Sequence, residues 1–345
     1  MDAELFKRLV STPGISGREE RIREVVKKEL APLVDDLRVD RLGNVIGVRG
    51  SDGPKVMLCA HMDTIGFLVS HIDDDGFLRV QPVGGFDART LVAQRVVVLG
   101  KKDYLGLLTP ATKPIHILSD EEAKRPPKME DLIVDVMLPP EETKANITLG
   151  DPVSFHQEPI VTDHAVTAPY LDDRLGVYVL IEALRKAGKN GCQVHAVVSV
   201  QEEVGVRGAT TSAFDIEPDI GIALDITIAS DLPGIDKAQR VTTLGNGTAV
   251  GVMDSMTISD PRLVSKFGQL ADSASVKHQL DILPFGGTDA GAIQLTKTGV
   301  PAITMAVPVR YVHTSAEMAF ISDIDATVDV VASFLGVAHE MDLTW

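Results

Sequence analysis

Two adjacent glutamates, Glu202 and Glu203, follow a short apolar run over residues 196–200. The run is rich in β-branched residues and too short for an isolated helix, so it predicts a buried strand. Binding and catalytic sites in open α/β sheets gather at the carboxyl ends of strands. Two carboxylates in such a place are costly to remove from water unless a positive group faces them. The pattern therefore predicts a cationic partner, and a bound pair of metal ions is the best candidate.

Other residues that can bind a metal stand at the ends of further predicted strands and loops. They are His61, Asp172, Asp225 and His313, in addition to the glutamate pair. Five such positions in this order are hard to explain by structure alone. Imidazole and carboxylate ligands together suit zinc, cobalt or manganese, whereas a structural zinc site would use thiolates. Two metal ions that share five side chains need one carboxylate that bridges them.

Two pairs of neighbouring residues have roles that the residues alone leave open. His61 and Asp63 are two positions apart in an extended segment, so their side chains share a face. Asp63 either fixes the second ring nitrogen of His61 or acts on the site less directly. Asp172 and Asp173 lie at the predicted start of a helix, where N-capping accounts for one of them. The residue pattern does not choose between these two aspartates as a ligand.

The elements that must position these residues indicate an α/β domain. Ser16 and Glu19 have the spacing of a capping box before a helix predicted over 18–31. Asp260 and Pro261 open a second helix, and the last helix is predicted to begin near Ser322. Strands are predicted over 45–48, 55–61, 196–200, 220–225 and 301–307.

Residues 70–165 have a different pattern from the rest of the chain. Short Val-rich segments alternate with Gly and Pro, as in a small β-barrel or sandwich. The histidines of this part have no matching ligand spacing and are predicted to lie at the surface. They are His71, His116, His156 and His164. We therefore predict a β domain inserted between two halves of the α/β domain.

Charge and composition exclude several classes of partner. The 345 residues carry a formal net charge of −16, which argues against nucleic acid or an anionic membrane. No run of 18 or more apolar residues occurs, and the polar start does not resemble a signal peptide. Cys59 and Cys192 cannot form a disulfide framework, so a cytoplasmic location is favoured. Cys59 lies inside an apolar strand and is predicted to be buried.

Five segments together resemble the TET-type aminopeptidases, metallopeptidase family 42, which includes glutamyl and deblocking aminopeptidases and relatives labelled endoglucanases. The segments are His61-Met62-Asp63-Thr64-Ile65-Gly66, Leu171-Asp172-Asp173-Arg174-Leu175-Gly176, Glu202-Glu203-Val204-Gly205-Val206-Arg207-Gly208, Ala223-Leu224-Asp225 and Tyr311-Val312-His313-Thr314. The resemblance extends through nearly the whole chain. It implies a mixed-sheet α/β/α dinuclear metallopeptidase domain formed by residues 1–69 and 166–345. Residues 70–165 would form a small β-barrel or sandwich that makes the dimer contact.

The resemblance also implies a set of metal ligands. His61, Asp172 and Asp225 would bind one ion. Asp172 would bridge to a second ion, which Glu203 and His313 would complete. The choice of Asp172 over its neighbour rests on the spacing to Glu203 that the resemblance implies. Zinc is the expected metal, and cobalt or manganese would suit the same ligands.

The chemistry that the resemblance implies is removal of N-terminal residues from peptides. Two cations about 3.5–4 Å apart can lower the pKa of a shared water and polarise the scissile carbonyl. Glu202 would be the general base for attack by the hydroxide between the two ions. Asp63 would orient His61, so Glu202 and Asp63 are the expected catalytic residues.

Substrate contacts and assembly are expected on the same ground. The backbone N–H groups of Gly286, Gly287 and Thr288 and the ring of Tyr311 would contact the peptide substrate. The family forms hollow tetrahedral dodecamers built from dimers, and we expect the same homo-oligomer here.

Three other functions fit part of the sequence. The same dinuclear site would also suit hydrolysis of N-acyl amino acids or other amides. A metal-independent endoglucanase needs two carboxyl groups about 5–9.5 Å apart and leaves the histidines without a role. An inactive metal-binding scaffold leaves Glu202 without a role, because a structural site does not need a base that binds no metal.

Overall fold

The computed structural model describes residues 1–188 and 191–344 of the chain. Within these ranges the α-helices are α1 (Ala3–Ser11), α2 (Glu20–Leu30), α3 (Asp120–Ala123), α4 (Pro140–Asn146), α5 (Leu171–Lys186), α6 (Arg207–Ile216), α7 (Pro261–Ser273), α8 (Asp289–Gln294) and α9 (Ile321–Val337). The strands are β1 (Asp36–Val39), β2 (Val45–Arg49), β3 (Lys55–His61), β4 (Gly66–Ile72), β5 (Leu78–Val83), β6 (Gln94–Leu99), β7 (Asp103–Pro110), β8 (Leu132–Asp135), β9 (Pro152–Phe155), β10 (Ile160–Val161), β11 (Ala165–Ala168), β12 (Gln193–Ser199), β13 (Ile220–Ile228), β14 (Thr248–Met253), β15 (His278–Ile282), β16 (Ala302–Val309) and β17 (Glu317–Phe320). Of the helices in these ranges, none has both the length and the apolar character that crossing a membrane requires.

An eight-stranded mixed sheet forms the centre of the larger domain. Its strand order is β1-β2-β12-β3-β13-β16-β14-β15. The four middle strands, from β12 to β16, are parallel to one another, and β2 and β14 run antiparallel to their inner neighbours. The carboxyl ends of the four parallel strands therefore meet at one edge of the sheet.

Helices cover both faces of this sheet, which explains why its middle strands are apolar almost throughout. Every residue of β16 is buried. The core on one face includes residues of α1, α2, α5, α7 and α9. The core on the other face includes residues of α6 and α8. The three-layer α/β/α arrangement that the sequence predicted is confirmed.

Six antiparallel strands form a closed barrel in the order β4-β5-β8-β7-β6-β9. The barrel has its own core, in which Phe67 stacks on Phe86 with ring centroids 4.5 Å apart. This confirms the β domain and selects a barrel over a sandwich. The histidines predicted at its surface are exposed: His71, His116, His156 and His164. The predicted domain limits of 1–69, 70–165 and 166–345 stay a prediction, and the first of them falls inside β4.

A third, small sheet consists of β10, β11 and β17. In it β11 pairs antiparallel with β17, so that Ala168 lies opposite Glu317. This pairing joins the chain after the barrel to a strand near the end of the sequence. It brings Glu317 close to the segment that begins α5.

Two helix starts differ from the sequence predictions. Helix α2 begins at Glu20, but no side chain caps it. The Ser16 hydroxyl instead donates a hydrogen bond of 2.5 Å to Asp63, because a buried carboxylate is the stronger acceptor. Helix α9 begins at Ile321, so Ser322 lies inside it and does not cap it. The start of α7 is as predicted, since Asp260 accepts from the N–H of Arg262.

The packing of α7 against α9 gives a stability prediction. Phe334 of α9 stacks on Phe267 of α7 with ring centroids 4.5 Å apart, and both are fully buried. Phe334→Ala should lower the free energy of unfolding by about 3–5 kcal/mol, because it leaves a cavity. Urea unfolding at one fixed protein concentration measures this change. The control Phe285→Ala removes a ring that is 81% exposed and should change the value by less than about 0.5 kcal/mol. Equal losses in the two variants would contradict this assignment of the core.

Candidate metal centre

Neighbouring strand ends place the first residues of the centre. His61 is the last residue of β3 and pairs with Ser199 at the end of β12, from which the chain continues to Glu202. Cys59 pairs with Ala223 of β13, so Asp225, two residues further, lies level with His61 on the same face. His61 and Asp225 are both buried. Strand β13 itself continues past Asp225, the predicted end, to Ile228.

The carboxylate of Asp172 lies between two imidazoles. Its Oδ1 is 3.2 Å from Nε2 of His61, and its Oδ2 is 3.3 Å from Nε2 of His313. On the far side, Nε2 of His313 is 3.5 Å from Oε2 of Glu203. Single ligand atoms of His61, Asp172 and Glu203 lie within 4.8 Å of one another. Each oxygen of Asp172 thus faces a different imidazole, which is the arrangement that a bridging ligand requires.

Asp173 makes contacts that differ from those of Asp172. Its Oδ1 accepts a hydrogen bond of 2.8 Å from the N–H of Gly176, and its Oδ2 accepts one of 3.1 Å from the N–H of His61. Both aspartates have non-helical backbone angles, so Asp173 caps the first regular turn of α5. The capping role that the sequence predicted for one of the two belongs to Asp173. Ligand atoms of Asp173, His61 and Asp225 also lie within 4.8 Å of one another.

Asp63 acts on the centre through two different groups. Its backbone carbonyl is 2.9 Å from Nδ1 of His61. A hydrogen bond there fixes the ring and leaves the Nε2 lone pair facing Asp172. Its buried carboxylate accepts the N–H groups of Glu202 and Glu203, at 3.0 and 3.3 Å. Asp63 therefore holds the His61 ring by its main chain and the glutamate pair by its side chain.

Glu317 is a residue of the centre to which the sequence analysis gave no role. Its two oxygens accept the N–H of Asp172 at 3.0 Å and the N–H of His313 at 2.7 Å. It is 1% exposed, and burial raises its pKa to about 8. The pairing of β11 with β17 brings it there, because Glu317 lies opposite Ala168, 149 positions earlier in the chain (317 − 168).

Asp289 is a further carboxylate near the ends of β3 and β12, and the sequence did not indicate a role for it. Its Oδ2 accepts hydrogen bonds from the Ser199 hydroxyl at 2.6 Å and from the Cys59 thiol at 3.1 Å. Cys59 is buried as predicted. The only signal for Asp289 in the sequence was its position directly after Gly286, Gly287 and Thr288, where a helix begins.

The centre gathers more negative than positive groups in a buried place. Burial raises the pKa of Glu202 and of Asp225 well above the usual values, and that of Glu203 to about 8. Although burial opposes it, the hydrogen bond with Asp172 raises the pKa of His313 to about 10. The two kinds of shift point to the same need, because carboxylates removed from water are stabilised by positive charge beside them.

The residues present fit divalent cations. The Oε1 atom of Glu203 is buried and has no hydrogen-bond partner in the described part of the chain. Carboxylates with imidazoles are donors that zinc, cobalt and manganese accept. Two glycines that follow β5 lie beside these side chains, and a Cβ on Gly84 would meet Ile65 first, at 2.6 Å. A Cβ on Gly84 would approach Oε2 of Glu203 to 3.4 Å, and one on Gly85 would approach Nδ1 of His313 to 3.5 Å.

The four predicted substrate contacts belong to two loops. Gly286, Gly287 and Thr288 form the loop that enters α8, with Thr288 as its N-cap. The Thr288 hydroxyl is buried and lies 2.7 Å from the hydroxyl of Thr304. Tyr311 is 47% exposed and precedes His313 by two residues. Contact of these residues with substrate stays a prediction.

Comparison with known proteins gives a consistent set of relatives. Residues 43–330 match the family model described as M42 glutamyl aminopeptidase. A lysyl aminopeptidase of Pyrococcus furiosus is 35% identical over 359 residues, which cover 100% of this chain and 99% of that protein. The solved structure of an aminopeptidase from Desulfurococcus kamchatkensis is 38% identical with a TM-score of 0.92, covering 96% of this chain and 94% of that one. A Pyrococcus horikoshii TET1 peptidase, reported to assemble into a tetrahedron or a large octahedral shell, is 33% identical with a TM-score of 0.85, covering 96% and 98% of the two chains.

The position of Glu317 gives a test of the centre. In Glu317→Gln one acceptor oxygen becomes an NH₂ group that faces a backbone N–H, so Asp172 or His313 loses its anchor. We expect zinc affinity to fall about 10–100-fold, as for other residues that orient metal ligands. Isothermal titration of metal-free protein measures the affinity. The control Glu158→Gln changes an exposed glutamate and should leave it unaltered, and an unaltered value for Glu317→Gln would refute the anchoring role.

Proposed function

The chain belongs to the M42 glutamyl aminopeptidase family and is an aminopeptidase of the hydrolase class, and we propose that it works with two divalent metal ions and Glu202 as general base. The observation that carries the proposal is the Asp172 carboxylate, whose two oxygens lie 3.2 and 3.3 Å from two different imidazoles. The resemblance to the TET-type aminopeptidases that the sequence showed is confirmed by the family match. The assignments of metal ligands and base below are proposals about this chain.

His61, Asp172 and Asp225 would hold one ion, and Glu203 and His313 would hold the second together with Asp172. Three features support this division. His61 is fixed through Nδ1, so its Nε2 can bind a metal. Asp225 shares one group of ligand atoms with His61 and Asp173, and Asp172 shares another with His61 and Glu203. The unpartnered Oε1 of Glu203 supplies a free donor. Zinc is the proposed metal, and the same ligands suit cobalt or manganese.

Two bound divalent ions would polarise the scissile carbonyl and lower the pKa of the attacking water. The chain itself supplies the base. Glu202 has its Oε2 3.8 Å from Nε2 of His61 and a side chain that is 13% exposed. Burial raises its pKa, which suits a group that must accept a proton near neutral pH and return it to the leaving amine. Asp63 holds the N–H of Glu202 and so keeps the base at a fixed place.

The surplus of carboxylates would also select the end of the peptide. A free α-amine is positive at neutral pH, and buried carboxylates attract it. An acylated N-terminus has no such charge. The substrate is therefore an unblocked peptide, and hydrolysis proceeds from its N-terminus. The imidazoles on both sides of Asp172 argue against a metal-independent endoglucanase, in which they would have no role.

We propose that the functional form is a homo-oligomer, a tetrahedral dodecamer built from dimers. The tetrahedral assembly reported for the Pyrococcus horikoshii relative supports this. The barrel would make the dimer contact. It exposes large apolar side chains on β7 and the following loop, where Leu105 is 53%, Ile115 70% and Ile117 66% exposed. Large exposed apolar side chains that form a contiguous patch mark interaction surfaces.

Metal removal tests the cofactor assignment. After dialysis against a chelator, hydrolysis of leucine p-nitroanilide should be lost, because the carbonyl and water are then no longer activated. Zinc, cobalt or manganese should restore it. The N-acetylated anilide serves as the control and should resist hydrolysis in every sample. Full activity in the chelated protein would rule out a metal-dependent mechanism, and cleavage of the acetylated substrate would favour the amide hydrolase.

Glu202→Gln tests the base. The amide cannot accept a proton, so kcat should fall about 10²- to 10⁴-fold. Metal content, measured by plasma mass spectrometry, should stay at the wild-type level because Glu202 is not a proposed ligand. Glu203→Gln is the matched comparison and should lower metal content as well as kcat. A wild-type rate in Glu202→Gln would show that Glu202 is not the general base.

A further inference from the structure

The proposed ligands of the two ions stand on different parts of the fold. His61 and Asp225, which would bind the first ion, belong to β3 and β13, where pairing between neighbouring strands fixes the backbone. The ligands of the second ion lie outside that sheet. Asp172 is in the first turn of α5, and Glu203 and His313 are in loops. Contacts outside the sheet therefore decide where the second set of side chains stands.

Tyr170 joins the core of the barrel to the segment of Asp172. Its buried ring stacks on Phe155 of β9 with ring centroids 6.0 Å apart, and its hydroxyl accepts a hydrogen bond from the N–H of Phe155. These contacts hold Tyr170 at a φ of 69°, a left-handed conformation that a tyrosine seldom adopts. The next side chain, Leu171, is buried in the core of the α/β domain. The direction in which the chain enters α5 at Asp172 thus depends on the barrel.

Gln94, the first residue of β6 in the barrel, is bonded to the turn that carries His313. Its Oε1 accepts a hydrogen bond of 2.7 Å from the hydroxyl of Ser315, two residues after His313. Its Nε2 donates a hydrogen bond of 2.8 Å to the carbonyl of Thr90, which sets the orientation of the amide within the barrel. Ser315 is 9% exposed, so its hydroxyl cannot readily exchange this acceptor for water. The place of this turn therefore depends on a barrel side chain.

The loop after β5 brings the barrel into contact with the same ligands. Gly84 lies beside Glu203, and Gly85 lies beside the ring of His313. Phe86 follows directly, and its ring stacks in the barrel core with a centroid distance of 4.5 Å. The loop is therefore anchored in the barrel, while its backbone lies against two ligands of the second ion.

We propose that Gln94 is a positioning residue through which the barrel sets the affinity for the second metal ion. The inference rests on the proposed two-ion centre. Nε2 of His313 and Oδ2 of Asp172 are 3.3 Å apart, and the barrel holds the segments on both sides, through Ser315 and through Tyr170. Because Asp172 would bind both ions, a change at Tyr170 would disturb both. The bond of Gln94 reaches only the turn of His313, so its loss would weaken the second ion and leave the first in place.

The test measures zinc bound per subunit against free zinc in chelator-buffered solution, by plasma mass spectrometry. In Gln94→Ala one of the two ions should need about 10-fold more free zinc. This is the lower end of the range for residues that orient metal ligands, because Gln94 acts through Ser315. The other ion should bind as in the wild type. The control Gln81→Ala, at an exposed glutamine of β5, should change neither ion.

A double-mutant cycle tests whether the effect passes through the hydrogen bond itself. Ser315→Ala removes the donor, as Gln94→Ala removes the acceptor, and should weaken the same ion by a similar factor. The variant with both substitutions should lose no more affinity than either single variant, because all three break one bond. The ion that remains bound shows in each variant that the central sheet is intact.

Three results would overturn the inference. One is a zinc-binding curve of Gln94→Ala that coincides with that of the wild type. Another is an equal loss of both ions, which would make Gln94 a residue of general structural importance. The third is a double variant whose loss equals the product of the two single losses, since the two side chains would then act separately. If the wild type binds two ions and only these variants behave otherwise, this inference alone fails. A wild type that binds fewer than two zinc ions per subunit would refute the proposed two-ion centre as well.

Discussion

The rest of the structure depends on one electrostatic constraint: buried carboxylates need positive charge beside them. Asp172 meets this constraint through His61 and His313, which lie 3.2 and 3.3 Å from its two oxygens. The neighbouring Glu203 and Glu202 lie 3.5 and 3.8 Å from the same two imidazoles, and burial still raises their pKa values and that of Asp225. Such a cluster is expensive to fold unless cations complete it. The ends of the parallel strands and the start of α5 hold this cluster together.

Three carboxylates hold the backbone of the centre in place. Asp63 accepts the N–H groups of Glu202 and Glu203, Asp173 those of His61 and Gly176, and Glu317 those of Asp172 and His313. Each of them joins segments that are far apart in the sequence. The positions of the proposed ligands thus depend on hydrogen bonds to their main chain as well as on their own side chains. Residues outside the proposed ligand set would therefore also affect the metal affinity of the centre.

Local patterns in the sequence were enough to predict the strands and the face on which each side chain of a strand lies. The strand ends placed His61, Asp225 and the glutamate pair at one edge of the sheet, because alternation along a strand fixes the face of each side chain. Long-range contacts could not be predicted in the same way. Glu317 reaches the centre because β17 pairs with β11, which places Glu317 opposite Ala168. No local pattern in the sequence indicates this pairing. Ser16 has a perfect local capping spacing, yet its hydroxyl bonds to Asp63, 47 residues away. The separate roles of Asp172 and Asp173 likewise follow from tertiary contacts.

The central claim is that Asp172 bridges two metal ions. Anomalous diffraction at the zinc absorption edge, from crystals of the zinc-loaded protein, tests it most directly. Two peaks per subunit are expected about 3.5–4 Å apart, one beside His61 and Asp225 and the other beside Glu203 and His313, with an Asp172 oxygen bound to each. A single peak, or two peaks neither of which contacts Asp172, would contradict it.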